Sequence, residues 1–193
     1  MPKNIAMLAT DGVEEVELTG PAKALGQAGA KVDVIAPHGG RIQAFNHFDK
    51  GDQLPVDLTL DQADPANYDA LMLPGGALNA DQMRAQPKAL EFIKAMARAG
   101  KPMAVICHAP WELINADLVR GRTLTSYYTI QVDLRNAGST WVDQEVVVDG
   151  NLVTSRQPSD IPAFNREMLR VFTRSRQGGE QYGLPEQPDV PIL

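Results

Sequence analysis

Four short, nearly continuous apolar runs mark the first part of the chain: Lys3 to Ala9 (KNIAMLA), Lys31 to Ala36 (KVDVIA), Tyr68 to Leu73 (YDALML) and Lys101 to Cys107 (KPMAVIC). Runs of this length with little polar alternation suit strands covered on both faces, as in a parallel sheet. Between them lie two stretches of helical period. Val13 to Ala28 places Val13, Val16, Leu25 and Ala28 among its apolar positions, and Asp81 to Ala99 places Leu90, Ile93, Met96 and Ala97; each ends at a glycine, Gly29 or Gly100. The alternation predicts βαβ units. A third helix is expected directly after Cys107, with Pro110 in its first turn and Trp111, Leu113, Ile114 and Leu118 available for packing.

Further on, Gly121 to Ser126 and Thr140 to Val148 are rich in β-branched residues, and Asp149-Gly150-Asn151 before Leu152 to Ser155 is a strong hairpin signal. Asp160 is placed to cap a last helix in which Ile161, Phe164, Met168, Val171 and Phe172 recur at spacings of three or four. Residues 1–173 therefore read as one α/β domain. From Arg174 to Leu193 (RSRQGGEQYGLPEQPDVPIL) the chain is rich in Gly, Pro and Gln without periodicity, which predicts an extended tail.

Composition narrows the function classes. The chain has 193 residues, 44% of them hydrophobic, enough to enclose one core. Its formal net charge is −6 with both signs intermixed, so no basic stripe exists for a phosphate backbone and no nucleic-acid partner is expected. The opening MPKNIAMLATDGVEE has an apolar run too short for a secretory core or a membrane span, so a cytoplasmic protein without membrane attachment is expected. One cysteine and three scattered histidines, His38 and His47 reading as loop residues, give no known metal pattern, and no metal or cofactor is expected.

In open parallel sheets, ligands bind beyond the carboxyl ends of the strands. Three such ends carry unusual residues: Thr10-Asp11-Gly12-Val13-Glu14-Glu15, Leu73-Pro74-Gly75-Gly76 and Cys107-His108-Ala109-Pro110. An isolated cysteine is most often a small buried hydrophobe. Set between a buried strand and the first turn of a helix, however, it meets unpaired backbone N–H groups whose dipoles favour the thiolate, so a lowered thiol pKa is expected. The amides of His108, Gly75 and Gly76 are the expected oxyanion donors, since glycine lets a main chain approach a reacting carbonyl closely.

Taken together, Ala104-Val105-Ile106-Cys107-His108-Ala109-Pro110, Leu73-Pro74-Gly75-Gly76 and Thr10-Asp11-Gly12-Val13-Glu14 resemble the PfpI family of the ThiJ/PfpI superfamily. The resemblance runs over about residues 3–173 and includes Leu118-Val119-Arg120-Gly121-Arg122, Asn136-Ala137-Gly138, the stretch 143–150 (DQEVVVDG) and Val153-Thr154-Ser155-Arg156. It implies a flavodoxin-like sandwich with a mainly parallel central sheet and helices on both faces, related to class I glutamine amidotransferases, with the cysteine on a strained nucleophile elbow. It also implies an intracellular cysteine peptidase, a glyoxalase or deglycase acting on methylglyoxal and its adducts, or a stress protein or chaperone. By the same resemblance Cys107 is the nucleophile and Glu14 the glutamate whose carboxyl lies against the sulfur, protonated so as to support the thiolate and shuttle protons.

His108 corresponds to the histidine that pairs with an acid from a neighbouring subunit, and Asp81 is the acid that comes into register if one inserted residue is allowed. Tyr127 and Arg156 are candidates for lining the pocket. A dimer or hexamer is implied, acting on a small carbonyl compound or a peptide without a cofactor. Ala109 stands where the family often has glycine, and the tail has no counterpart. A different class of reading is a redox-sensing or chaperone-like stress protein in which Cys107 is oxidised and turnover is negligible.

Overall fold

Each apolar run becomes a strand whose alternate side chains enter two different cores. In β1, Ile5 and Met7 face one side while Ala6 and Leu8 face the other. The computed structural model describes residues 4–174. In chain order these form β1 (Asn4–Leu8), a short β2 (Val13–Glu14), α1 (Glu15–Gln27), β3 (Lys31–Ala36), β4 (Arg41–Asn46), β5 (Asp49–Pro55), β6 (Leu58–Thr59) and β7 (Ala70–Leu73). There follow α2 (Ala77–Met83), α3 (Pro87–Arg98), β8 (Met103–Ile106), α4 (Pro110–Asn115), β9 (Thr123–Leu124), α5 (Gln131–Asn136), β10 (Thr140–Trp141), β11 (Val146–Asp149), β12 (Leu152–Ser155) and α6 (Ile161–Arg174).

The central seven-stranded sheet runs β11-β12-β8-β7-β1-β3-β6 and is parallel except for β11, which folds back on β12 through the Asp149-Gly150 turn. Helices α1 and α6 cover one face through Leu18, Leu25, Phe164, Met168 and Phe172. On the other face, α3, α4 and α5 supply Phe92, Ile93, Met96, Leu113 and Leu134. This is the expected flavodoxin-like sandwich. Strands β1, β7 and β8 are neighbours at its centre, so the loops that leave their carboxyl ends meet, and the three motifs far apart in sequence share one place.

Several elements differ from the sequence reading for identifiable reasons. The helix expected over Asp81 to Ala99 is two helices, because Pro87 lacks an N–H and holds Gln86 extended (φ −91°, ψ 109°). The segment before α1 is not helical at Val13 and Glu14, which pair with Ala44 and Phe45 of β4. The hairpin β4–β5 has no counterpart in the sequence reading, since its strands carry Gln43, Lys50, Asp52 and Gln53 among few apolar residues. Asp160 ends a 3-10 turn, and its carboxylate accepts from the Arg156 guanidinium at 2.8 and 3.1 Å. Of the expected 174–193 tail, Arg174 closes α6 and the rest lies outside the described residues. Among the described residues no helix is long and apolar enough to cross a membrane.

The core holds one group that apolar packing does not explain. Glu112 of α4 is fully buried, and neither carboxyl oxygen has a hydrogen-bond partner among the described residues. Burial pushes its pKa well above the ordinary carboxylate range. The unfolded chain therefore releases this proton from pH 4.5 upward while the folded protein retains it, so stability falls as pH rises above that value. Glu112→Leu is expected to stabilise the fold by about 1–3 kcal/mol at pH 8. Urea unfolding at pH 5 and pH 8 checks it: the gain over the native chain should be larger at pH 8, and a gain independent of pH would contradict a retained proton.

Candidate active site

Cys107 directly follows β8 with φ 65°, a left-handed conformation that an L side chain adopts only under constraint. Such a residue carries strain of about 1–3 kcal/mol, which its surroundings must offset. Here the Cys107 N–H donates to Ser155 O at 3.1 Å, the Cys107 carbonyl accepts the Tyr127 N–H at 2.9 Å, and the Ala109 N–H donates to Ile106 O at 3.1 Å. The chain is thus pinned from β12 and from the loop after β9 as it turns into α4. The thiol is 6% exposed.

The acid beside the sulfur is Glu17. In α1 the buried positions are Glu17, Leu18, Pro21 and Leu25, so this carboxyl lies in the apolar stripe and points at the sheet. Its Oε2 accepts the Gly75 N–H at 3.1 Å, its Oε1 makes no regular hydrogen bond, and the carboxyl interacts with the Cys107 thiol. The expectation for Glu14 is corrected accordingly. Glu14 lies in β2, before the helix begins, and its Oε2 accepts the His47 N–H at 3.1 Å. Glu15 is spent on the β4–β5 hairpin, accepting the Asp52 N–H at 2.7 Å. Three acids within four positions therefore have three different directions, set by where strand ends and helix starts.

Burial pushes the Glu17 pKa up to about 8, and the nearby Glu14 charge adds to this against weaker pulls from Cys107 and Gly75. At neutral pH Glu17 thus holds its proton. Burial likewise pushes the Cys107 thiol well above its usual range; any charge on Glu17 adds to the effect, while the amides of Gly76 and His108 act the other way. The expected lowering of the thiol pKa is corrected: the elbow amides are present, but a closed pocket and a second acid outweigh them.

Those amides also separate the two glycines. The Gly76 and His108 N–H groups face the sulfur, whereas the Gly75 N–H is committed to Glu17, so Gly75 is not an oxyanion donor in this arrangement. Gly75 is instead needed for space. A Cβ there would overlap the Glu17 carboxyl and the Cys107 Cβ. Gly76 has φ +91°, and a Cβ on it would overlap the Gly12 carbonyl oxygen.

His108 is half-buried, with Nδ1 3.2 Å from Cys107 Sγ and Nε2 3.3 Å from Thr129 Oγ1. Its ring stacks on Tyr127 at 4.8 Å and lies 5.4 Å from Trp111. Burial lowers its pKa, which keeps the imidazole neutral at pH 7. Tyr127 is therefore at the site.

Asp81 and Arg156 do not reach the site within this chain. Asp81 pairs with Arg84 at 2.6 Å, and it is Arg84 that lies over Trp111, because the one-turn spacing favours the local ion pair. Arg156 is held between Asp143 at 2.7 Å and Asp160 at 2.8 Å. His38 bonds Asp11, and no cluster of His, Cys, Asp and Glu suited to a metal occurs among the described residues.

Comparison with known proteins shows the family. The model of the DJ-1/PfpI family matches residues 3–171. The chain is 44% identical over 174 residues to an Escherichia coli protein named Protein/nucleic acid deglycase 2, covering 89% of this chain and 99% of that one. It is 42% identical over 172 residues to a Bacillus subtilis protein provisionally named cysteine protease YraA, covering 89% of this chain and 99% of that one. Among solved structures, a two-domain protein from Anabaena variabilis with DJ-1/ThiJ/PfpI-like and ferritin-like domains matches with a TM-score of 0.81 and 35% identity. That match covers 92% of this chain and 49% of that one, so the chain spans about half of its length.

The assignment of Glu17 over Glu14 is checked by iodoacetamide labelling across pH, read by intact mass on the single cysteine. Native protein should label slowly at pH 7 and faster as pH rises. Glu17→Gln should move the profile to lower pH, since no carboxylate charge can then form beside the sulfur, and Glu14→Gln should move it far less. The reverse order would return the role to Glu14.

Proposed function

Because this chain belongs to the DJ-1/PfpI family, we propose that it is a cysteine-dependent enzyme for small reactive carbonyls, namely methylglyoxal and its early adducts on proteins, of the deglycase or glyoxalase type. The observation that carries this reading is a thiol flanked by a base and an acid of opposite readiness. The neutral imidazole of His108 lies 3.2 Å from the sulfur, while Glu17 still holds its proton at pH 7.

As the sulfur bonds to the carbonyl carbon, the thiol proton passes to His108 Nδ1 and the C=O π pair moves onto oxygen. The amides of Gly76 and His108 already face the sulfur and so lie beside that oxygen, which takes the Glu17 proton to give a neutral hemithioacetal. With methylglyoxal, the Glu17 carboxylate then takes the former aldehyde hydrogen as a proton, the C–H pair forming an enediol as the ketone oxygen gains a proton. Glu17 returns that proton to the adjacent carbon while the hemithioacetal hydroxyl gives up its own to become the thioester carbonyl. The thioester that results is cleaved by water to a hydroxy acid and the free thiol. A raised thiol pKa is compatible with this chemistry because His108 removes the proton during attack. It is less compatible with a peroxide sensor, whose oxidation follows standing thiolate character.

Peptide hydrolysis is the second enzymatic reading, favoured by the same Cys–His contact and by the name of the Bacillus subtilis relative. We further propose a homo-oligomer, dimer or hexamer, in which the exposed Asp81 serves at a subunit boundary rather than in its own pocket.

Purified protein is expected to consume methylglyoxal, Cys107→Ser to consume none, and His108→Ala to be slower by about 10²–10⁴-fold. A parallel peptide-cleavage assay decides between substrates. Cleavage that depends on Cys107 without methylglyoxal loss would replace the carbonyl reading with the peptidase one.

A further inference from the structure

Thr129 belongs to neither the sequence motifs nor the chemical steps above. It sits in the 3-10 turn Tyr128–Ile130, and its Oγ1 is 3.3 Å from His108 Nε2. The ring is thereby fixed at both ends, Nδ1 against Cys107 Sγ and Nε2 against Thr129, with one face on Tyr127. Tyr127 is in turn tied to the elbow by its N–H on the Cys107 carbonyl. A neutral imidazole has one N–H and one lone pair, and a hydroxyl can meet either, so the contact alone does not say which nitrogen bears the proton.

The chemistry at the other end decides it, on the proposed reading that the sulfur attacks a carbonyl. Glu17 is protonated at neutral pH and takes no proton from the thiol. The remaining acceptor is His108 Nδ1, which must then present its lone pair to sulfur and carry its hydrogen on Nε2. That hydrogen needs an acceptor, and two carboxylates on this side are engaged elsewhere: Asp81 on Arg84, and Asp133 accepting the Trp111 indole N–H at 2.8 Å.

We infer that Thr129 is a positioning residue: its hydroxyl oxygen accepts the His108 Nε2–H, holds the ring in that tautomer and leaves Nδ1 free as the base for Cys107. The titratable and charged groups around the imidazole are Cys107 in its own turn, Glu17 from α1 behind the sulfur, and Tyr127 and Tyr128 from the loop after β9. Arg84 of the α2–α3 junction and Asp133 of α5 lie beyond Trp111. Of these, only Cys107 meets a ring nitrogen among the described residues, and the uncharged Thr129 hydroxyl meets the other.

The test is the long-range ¹H–¹⁵N spectrum of protein labelled at histidine, with three imidazoles to assign. It is recorded without substrate, so it stands or falls apart from any turnover of methylglyoxal. Native His108 is expected to show the pattern of a neutral ring protonated on Nε2. Thr129→Val should lose that single pattern, and label Cys107 at pH 7 about tenfold more slowly, the equivalent of one hydrogen bond. Thr129→Ser should restore both while melting no differently from Thr129→Val. A native ring protonated on Nδ1, or a Val variant with an unchanged pattern, would overturn the inference. So would a pattern lost in Asp81→Asn but kept in Thr129→Val, which would assign the role to a second copy's acid.

Discussion

The left-handed backbone of Cys107 is the constraint from which the site follows. An L residue relaxes out of φ 65° unless its neighbours forbid it, and here the restraint comes from Ser155 of β12, from the Tyr127 amide and from the first turn of α4. Each of these anchors also does something chemical. The Tyr127 amide brings its ring under His108, and the turn into α4 directs the His108 amide at the sulfur. The Gly75-Gly76 turn closes the other side because no Cβ fits there. Backbone strain, oxyanion donors and base are therefore consequences of one turn at the centre of a parallel sheet.

Electrostatically the site is a closed space with one proton too many for its size. Burial opposes charge on Glu17 and on Cys107 alike, and charge on Glu17 raises the thiol further. Burial also keeps His108 neutral. The resting site is thus an uncharged acid, thiol and base in a row, and charge appears only when a substrate carbonyl offers a place for it. A pocket arranged in this way reacts with an electrophile that can accept a proton as it is attacked, and it leaves a thiol buried from other reagents.

The architecture is legible in the sequence because its signals are redundant. Four apolar runs at strand length, glycine-terminated helices and the Asp149-Gly150 turn all point to the same parallel sheet, and the motif loops have to meet once β1, β7 and β8 are adjacent. Residue-level chemistry is legible only where a single residue stands alone. Cys107 has no competitor, whereas Glu14, Glu15 and Glu17 differ by which is the first in the helix, a boundary that local pattern leaves open by one or two residues. The signal that separates them is periodic: Glu17 falls in register with Pro21 and Leu25, where an apolar residue is expected. Thr129 has no such signal, since its contact with His108 joins residues 21 apart that only the tertiary fold brings together. The direction of the thiol pKa escapes the sequence for a related reason, because amides are visible at a strand-to-helix junction while enclosure by α1 is not.

The state of Glu17 is what divides the roles of acid and base among these residues, and infrared difference spectroscopy reads it directly. Native protein minus Glu17→Gln should show a protonated-carboxyl band at pH 7 that disappears as pH is raised through about 8, with Glu112 cancelling between the two samples. A difference spectrum showing only carboxylate at pH 7, with titration at the ordinary value near 4.5, would mean that Glu17 is ionised beside the thiol and would contradict its role as the acid opposite His108.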